Sequence, residues 1–191
     1  ILDGGCGANY LASLFDTPER KIVGVDFALD NLIKGKRYYP EGFSMLGDLN
    51  QLSFPDQLFD CITSISTAEH FEEGFNKLLG ESRRVLKKNG ALLLVIPTYN
   101  IEDYISNILI KFFNKQDSYS IPHFSGNKEC KIVDEIKIEE KKGFFAYWMS
   151  KSSLKNLINQ SGFKIKYTSS SDIMGGLSRS RYFNFIGRKL S

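Results

Sequence analysis

The chain has 191 residues, 42% hydrophobic and 25% charged, which suits one soluble globular domain with a full apolar core. Its formal net charge of +3 is too small to argue for a nucleic-acid or membrane-surface partner. Cys6, Cys61 and Cys130 are an odd number without C-x-x-C spacing, which disfavours a disulfide framework or a zinc site, so no metal is expected. No signal peptide or membrane-length apolar run is visible, and the expected compartment is a reducing cytoplasm.

The segment from Ile1 to Tyr10 (ILDGGCGANY) reads as the end of a buried strand, a glycine-rich turn and the start of a helix running from about Tyr10 to Phe15. Glycines accept positive φ and let a ligand approach the backbone. A helix starting beside them offers unpaired N–H groups to something polar. The dinucleotide pattern G-x-G-x-x-G fails, because its third glycine falls on Tyr10. Asp3, directly before the turn, suits a ligand with an ammonium group and would repel a pyrophosphate. The turn therefore points away from NAD and towards an amino-acid-bearing nucleotide.

Lys21 to Asp26 is a short apolar run ending in an acid, a second buried parallel strand. Asp26 follows the turn by about 20 residues, the spacing at which a carboxylate takes both hydroxyls of a ribose. The alternative is a helix cap, since a helix follows from about Ala28. Phe43 to Asp48 is a third strand that again ends in an acid, and Asp48 also fits a turn cap. Leu52 to Ser66 supplies an apolar entry, a Pro55-Asp56 turn and a fourth strand. His70 stands just beyond it, either as a general base or as a packed residue at a helix entrance. Apolar positions keep helical spacing from Glu72 to Lys88, Asn89-Gly90 ends that helix, and Ala91 to Pro97 is a fifth strand covered on both faces.

Asp3-x-Gly5-x-Gly7 after an apolar strand resembles motif I of the class I S-adenosylmethionine-dependent methyltransferases, in their small-molecule, type 11-like form. Asn9 stands where that family often has a further glycine, and Asn tolerates the left-handed conformation better than most residues. Phe59-Asp60 leading into strand four, the RRVLKKNG run from Arg83 to Gly90, and L-x-x-L-x-x-x-x-G-F from Leu154 to Phe163 follow in the family's order. The resemblance covers Ile1 to about Ile96 well and Ser150 to Arg188 in outline.

The resemblance implies a Rossmann-like, doubly wound α/β domain. Its seven-stranded sheet would have the order 3-2-1-4-5-7-6, the last strand antiparallel and helices on both faces. S-adenosylmethionine would lie across the carboxyl ends of strands one and four. Asp3, Gly5, Cys6 and Gly7 would form its turn, and Asp26 would take the ribose with Phe27 against the adenine. Asp48 would accept from the exocyclic amine, with the Leu49 backbone at the ring. Ser64, Ile65 and Ser66 would reach the methionine end, their carbonyls accepting from its ammonium. The Asn/Asp-Pro-Pro-aromatic sequence of base-amine methyltransferases is missing, which counts against nucleic acid as substrate. Relatives generally carry N-terminal helices, so a chain that opens on Ile1 inside a strand is expected to be a fragment without part of its substrate cover.

Past Pro97 the expectations are an amphipathic helix from Tyr99 to about Phe113, a polar loop from Gln116 to Gly126, and strands between Cys130 and Tyr147 around Lys141-Lys142-Gly143. This insertion, at about 98–147, is either a substrate lid, with His123 and Tyr147 as candidates, or a structural elaboration. A short helix from Ser150 to Ser161, a sixth strand from Gly162 and a last strand from Tyr182 to Arg188 complete the chain. The expected reaction moves the sulfonium methyl to an O, N or C nucleophile of a small-molecule acceptor, with a base optional. A methyltransferase-like binding module without turnover is the alternative. An NAD-dependent oxidoreductase is disfavoured by Asp3 and Tyr10.

Overall fold

The computed structural model describes residues 1–71, 75–99, 129–133, 136–141, 144–175 and 178–190. Short apolar runs ending in polar turns produce five parallel strands: β1 (Leu2–Gly4), β2 (Val23–Asp26), β3 (Phe43–Leu46), β4 (Phe59–Ile65) and β5 (Leu86–Tyr99). Three further strands, β6 (Glu129–Val133), β7 (Ile136–Lys141) and β8 (Phe144–Ser150), precede the closing pair β9 (Phe163–Gly175) and β10 (Ser178–Lys189). β10 is antiparallel to both β5 and β9. The sheet therefore runs β3-β2-β1-β4-β5-β10-β9, the seven-strand order 3-2-1-4-5-7-6.

Helices α1 (Tyr10–Phe15), α2 (Leu29–Tyr38), α3 (Phe75–Val85) and α4 (Lys151–Gln160) join the strands. β5 is the centre of the core. Leu92, Leu94 and Ile96 have no exposed surface and share one cluster with Phe75, Leu78 and Leu79 of α3 and Leu154 and Ile158 of α4. Burying apolar chains of this size contributes roughly 1.5–3 kcal/mol each. An arginine pins the entry to β4. Arg84 of α3 donates to both carboxylate oxygens of Glu81 (2.8 Å each), to Asp56 (2.9 Å), and to the carbonyls of Leu52 and Phe54 (2.8 and 2.7 Å).

Two boundaries depart from the sequence reading. The helix expected to run to Lys88 ends at Val85, because the chain enters β5 at once. Phe59 pairs with Leu86 and Cys61 with Ala91, so Lys87 to Gly90 bulge opposite Asp60. Asn89 takes a left-handed φ of 60° within that bulge rather than in a helix cap. Tyr99, expected to begin a helix, is the last residue of β5, paired with Ser150 of β8. The rest of that helix, the loop from Gln116 to Gly126 and His123 lie outside the described residues.

The strands expected around Lys141-Lys142-Gly143 form an antiparallel meander, β6-β7-β8. It joins the sheet through two pairs, Thr98 with Met149 and Tyr99 with Ser150. β10 already occupies one edge of β5 at Thr98, so β8 takes the edge that β4 leaves free after Ile65. β8 consequently packs against the 3-10 turn, Ala68–His70, that follows β4.

Candidate functional site

The site is built on three positive-φ residues in alternation: Gly5 (77°), Gly7 (53°) and Asn9 (59°). Asn9 thus takes the left-handed conformation that a third glycine would supply. A Cβ on Gly5 would overlap the Thr67 side chain, so the turn lies directly on the segment following β4. A Cβ on Gly7 would meet nothing within 4 Å, leaving open space over the turn.

β2 brings up the partner of this turn. The Gly5 and Cys6 N–H groups donate to the Val25 carbonyl (2.8 and 3.1 Å). Gly7 N–H donates to Oδ2 of Asp26 and Ala28 N–H to its Oδ1, both at 2.8 Å. Asp26 is 7% exposed. Each of its oxygens has one donor and keeps a second acceptor direction. Asp26 thus anchors the backbone at the entry to α2 and also lines a cavity.

That cavity, about 310 Å³, brings together Gly5, Asp26, Phe27, Asp48, Leu49 and His70 of the residues predicted from sequence. Gly47, Asn50, Thr67 and Phe71, which sequence reasoning did not select, complete its wall. Phe27 is 74% exposed, and Leu49 is buried with its side chain against Gly4. Oδ1 of Asp48 accepts from Asn50 N–H at 2.8 Å, the turn-capping geometry weighed for it above.

Asp3, Cys6, Gly7, Ser64, Ile65 and Ser66 are not part of the cavity wall. Asp3 is buried beneath the turn and accepts from Thr63 Oγ1 at 2.9 Å. Burial pushes its carboxyl up to about 6, against the Thr63 hydrogen bond and with the Asp26 charge adding. The Cys6 thiol packs at Gly24 and is pushed up to about 12, chiefly by burial and then by Asp3 and Asp26, so it is no nucleophile. Ser64 is buried, and its Oγ has no hydrogen-bond partner among the described residues. The Ile65 carbonyl accepts from Thr67 Oγ1 (3.1 Å), while Ser66, at φ 50°, donates its N–H to Val95 (2.9 Å).

His70 closes the 3-10 turn, donating its N–H to the Thr67 carbonyl (3.0 Å) with Nε2 4.0 Å from Glu69 Oε1. Tyr147 falls in β8 opposite Ile138. Among the described residues no three His, Cys, Asp or Glu side chains group as a metal site, and no helix is long and apolar enough to cross a membrane. Thr67 carried no signal in the sequence, since its approach to Gly5 is set by the fold. Asn50 and Gly47 carried none either.

Solved structures place the fold. A S-adenosylmethionine-dependent methyltransferase from Methanosarcina mazei superposes with a TM-score of 0.73 at 18% identity, over 99% of this chain and 91% of that one. The Burkholderia thailandensis 1,6-didemethyltoxoflavin-N1-methyltransferase, solved with 1,6-didemethyltoxoflavin and S-adenosylhomocysteine bound, superposes at 0.66 and 12% identity, over 100% and 70%. The architecture is thus the Rossmann-like fold of the class I methyltransferases.

Sequence carries the assignment further. Residues 2–94 match the family described as "Methyltransferase domain". The chain is 31% identical over 126 residues to YcgJ of Bacillus subtilis, described as an uncharacterized methyltransferase, covering 60% of this chain and 47% of YcgJ. Residues 2–94 thus resemble a methyltransferase domain in sequence as the whole chain does in fold. The chain spans about half the length of the curated relatives it matches, 47% of YcgJ among them.

Proposed function

We propose that this protein is a methyltransferase that binds S-adenosylmethionine and moves its methyl group to an O, N or C nucleophile of a small-molecule acceptor. The observation that carries the reading is Asp26. A carboxylate fixed by two backbone N–H groups, beside an open glycine turn, presents its remaining acceptor directions at a cavity. Such an arrangement fits a vicinal diol.

The cofactor's other parts also find suitable groups. The Asp26 charge adds to the burial that raises the proton affinity of Asp3, so the region favours a cation such as an ammonium or a sulfonium. The bare Ser64 hydroxyl lies at the carboxyl end of β4, and the space above Gly7 is open. Phe27 and Leu49 offer apolar surface for a base, and Asp48 offers a second carboxylate. When bound, the sulfonium supplies an activated methyl and a good leaving group.

The chain's own residues then have four tasks. The glycine turn and Asp26 fix the nucleotide. Asp3, with Ser64, Ile65 and Ser66, serves the methionine end. His70, on the cavity wall, is placed to take a proton from an O–H or N–H acceptor. The β6-β7-β8 meander, packed on the His70 turn, serves as the acceptor-side lid of a single domain. In the family the inactive-module alternative would be favoured by a defective turn, but Asn9 adopts the required conformation and gives it no support.

Calorimetric titration with S-adenosylmethionine, S-adenosylhomocysteine and NAD tests the cofactor. The first two are expected to bind and NAD is not. Radiolabelled cofactor incubated with a fractionated cell extract tests the acceptor, with label expected in the small-molecule fraction. Binding of NAD alone, or of none of the three, would overturn the proposal. Binding without any transfer would favour the inactive module.

A further inference from the structure

Glu69 is a buried carboxyl for which the reading above has no use. It sits in the turn Ala68–His70 and is 4% exposed. Its Oε2 has no hydrogen-bond partner among the described residues, and its Oε1 lies 4.0 Å from Nε2 of His70. His70 in turn lines the cavity. A buried carboxyl with a bare oxygen opposes folding. Packing alone therefore gives no reason for an acid here. Burial pushes Glu69 up to about 7, so its charge changes near neutrality.

We infer that Glu69 is the positioning residue of the methyl transfer: its carboxylate faces the His70 imidazole and holds the protonated ring after His70 takes the acceptor's proton. The inference rests on the methyl-transfer reading. In that step a bond forms from the acceptor's nucleophile to the methyl carbon. The bond from that carbon to sulfur breaks, and its electron pair stays on sulfur. The nucleophile's proton goes to the imidazole. Positive charge is lost at sulfur and gained at His70, and a carboxylate 4.0 Å away offsets the gain.

The neighbouring elements also carry titratable residues. The turn packs against α3, β5 and β8. By sequence α3 brings Lys77 and Glu81 towards its start and middle, β5 ends in Tyr99, β8 carries Tyr147, and Glu72 and Glu73 follow the turn. Asp26 and Asp48 share the cavity with His70. Glu72→Gln and Glu73→Gln therefore serve as comparisons.

The test is NMR on the 191-residue chain. The Glu69 carboxyl ¹³C, assigned by its loss in Glu69→Gln, is titrated in wild type and in His70→Gln. Loss of the imidazolium is expected to move the Glu69 midpoint up by at least about half a pH unit. By reciprocity, the His70 ring in Glu69→Gln titrates at lower pH by a similar amount, and in the two comparison variants it moves less. Should Glu69→Gln not fold, the resonance is assigned from its loss in Glu69→Asp instead, and the His70→Gln arm decides. Transfer of label to the extract fraction is expected to fall at least tenfold in Glu69→Gln, with S-adenosylhomocysteine affinity within twofold of wild type. Unmoved midpoints, or wild-type transfer by Glu69→Gln across the pH range, would overturn the inference. Loss of S-adenosylhomocysteine binding by wild type would instead refute the cofactor reading, leaving the NMR coupling to be judged by itself.

Discussion

Asp26→Ala gives the sharpest test of the cofactor site, because one side chain has both a structural and a binding load that are separately measurable. In the folded chain its carboxylate accepts from Gly7 and Ala28, each at 2.8 Å. A hydrogen bond to a charged group is worth about 1.5–3 kcal/mol, so losing both costs roughly 3 kcal/mol or more. For a chain of this size that lowers Tm by about 6–12 °C. Two ribose hydroxyls donating to the same carboxylate add about 3–6 kcal/mol of binding, or about 10²–10⁴ in affinity. Asp26→Asn keeps one acceptor oxygen and turns an amide N–H towards a backbone donor. It is expected to lose about half of each effect. The assay is calorimetry with S-adenosylhomocysteine, below the melting transition of each variant as followed by circular dichroism. A folded Asp26→Ala protein that binds within about threefold of wild type would refute the ribose assignment, whatever happened to its stability.

Three further expectations follow from the same geometry. Gly5→Ala must displace Thr67 and also hold a left-handed alanine, a cost of about 2–5 kcal/mol, whereas Gly7→Ala meets no neighbour and costs about 1–2 kcal/mol. The second is therefore expected to fold normally yet bind S-adenosylhomocysteine poorly, which melting curves and calorimetry would resolve. Asp3 is held at about 6 against an ordinary value of 3.8, so the folded chain grips its proton more tightly than the unfolded one. Its contribution to stability is full below about pH 4 and is lost as pH rises through about 6, at most about 3 kcal/mol. Urea midpoints of the ligand-free chain should accordingly fall over that window, and less steeply in Asp3→Asn. Arg84→Ala loses the fork to Glu81, Asp56 and two carbonyls, with about 2 kcal/mol of destabilisation expected in denaturant melts. Arg84→Lys is expected to recover little of it.

Much of this fold was legible because its signals are local. A strand that ends in Asp3 and a glycine turn, and a second that ends in Asp26, need only nearest neighbours to be read. The apolar run from Ala91 to Ile96 similarly declares a strand buried on both faces. The boundary between α3 and β5 was not legible. Lys87 to Gly90 have the composition of a helix end, but pairing of Leu86 with Phe59 draws them into a bulge, and pairing is a property of a distant strand. The site divides in the same way. Asp26 is visible from its spacing, whereas Thr67 matters through an approach to Gly5 across the top of the sheet. Glu69 was quoted in its sequence context but had no apparent task, since nothing in a sequence discloses that a carboxylate oxygen is buried and bare.

The length of β5 has a consequence for how such a protein diversifies. From Ala91 to Val95 the strand is clasped by β4 on one side and β10 on the other, and only its last residues, from Ile96 to Tyr99, outrun β4. The meander is attached to that overhang by two residue pairs. A protruding strand end works as a socket: segments of other length and composition can be spliced onto it without touching the glycine turn or Asp26. On the proposed function, exchanging residues 100–149 between relatives is expected to change the acceptor preference and to leave S-adenosylhomocysteine binding in place.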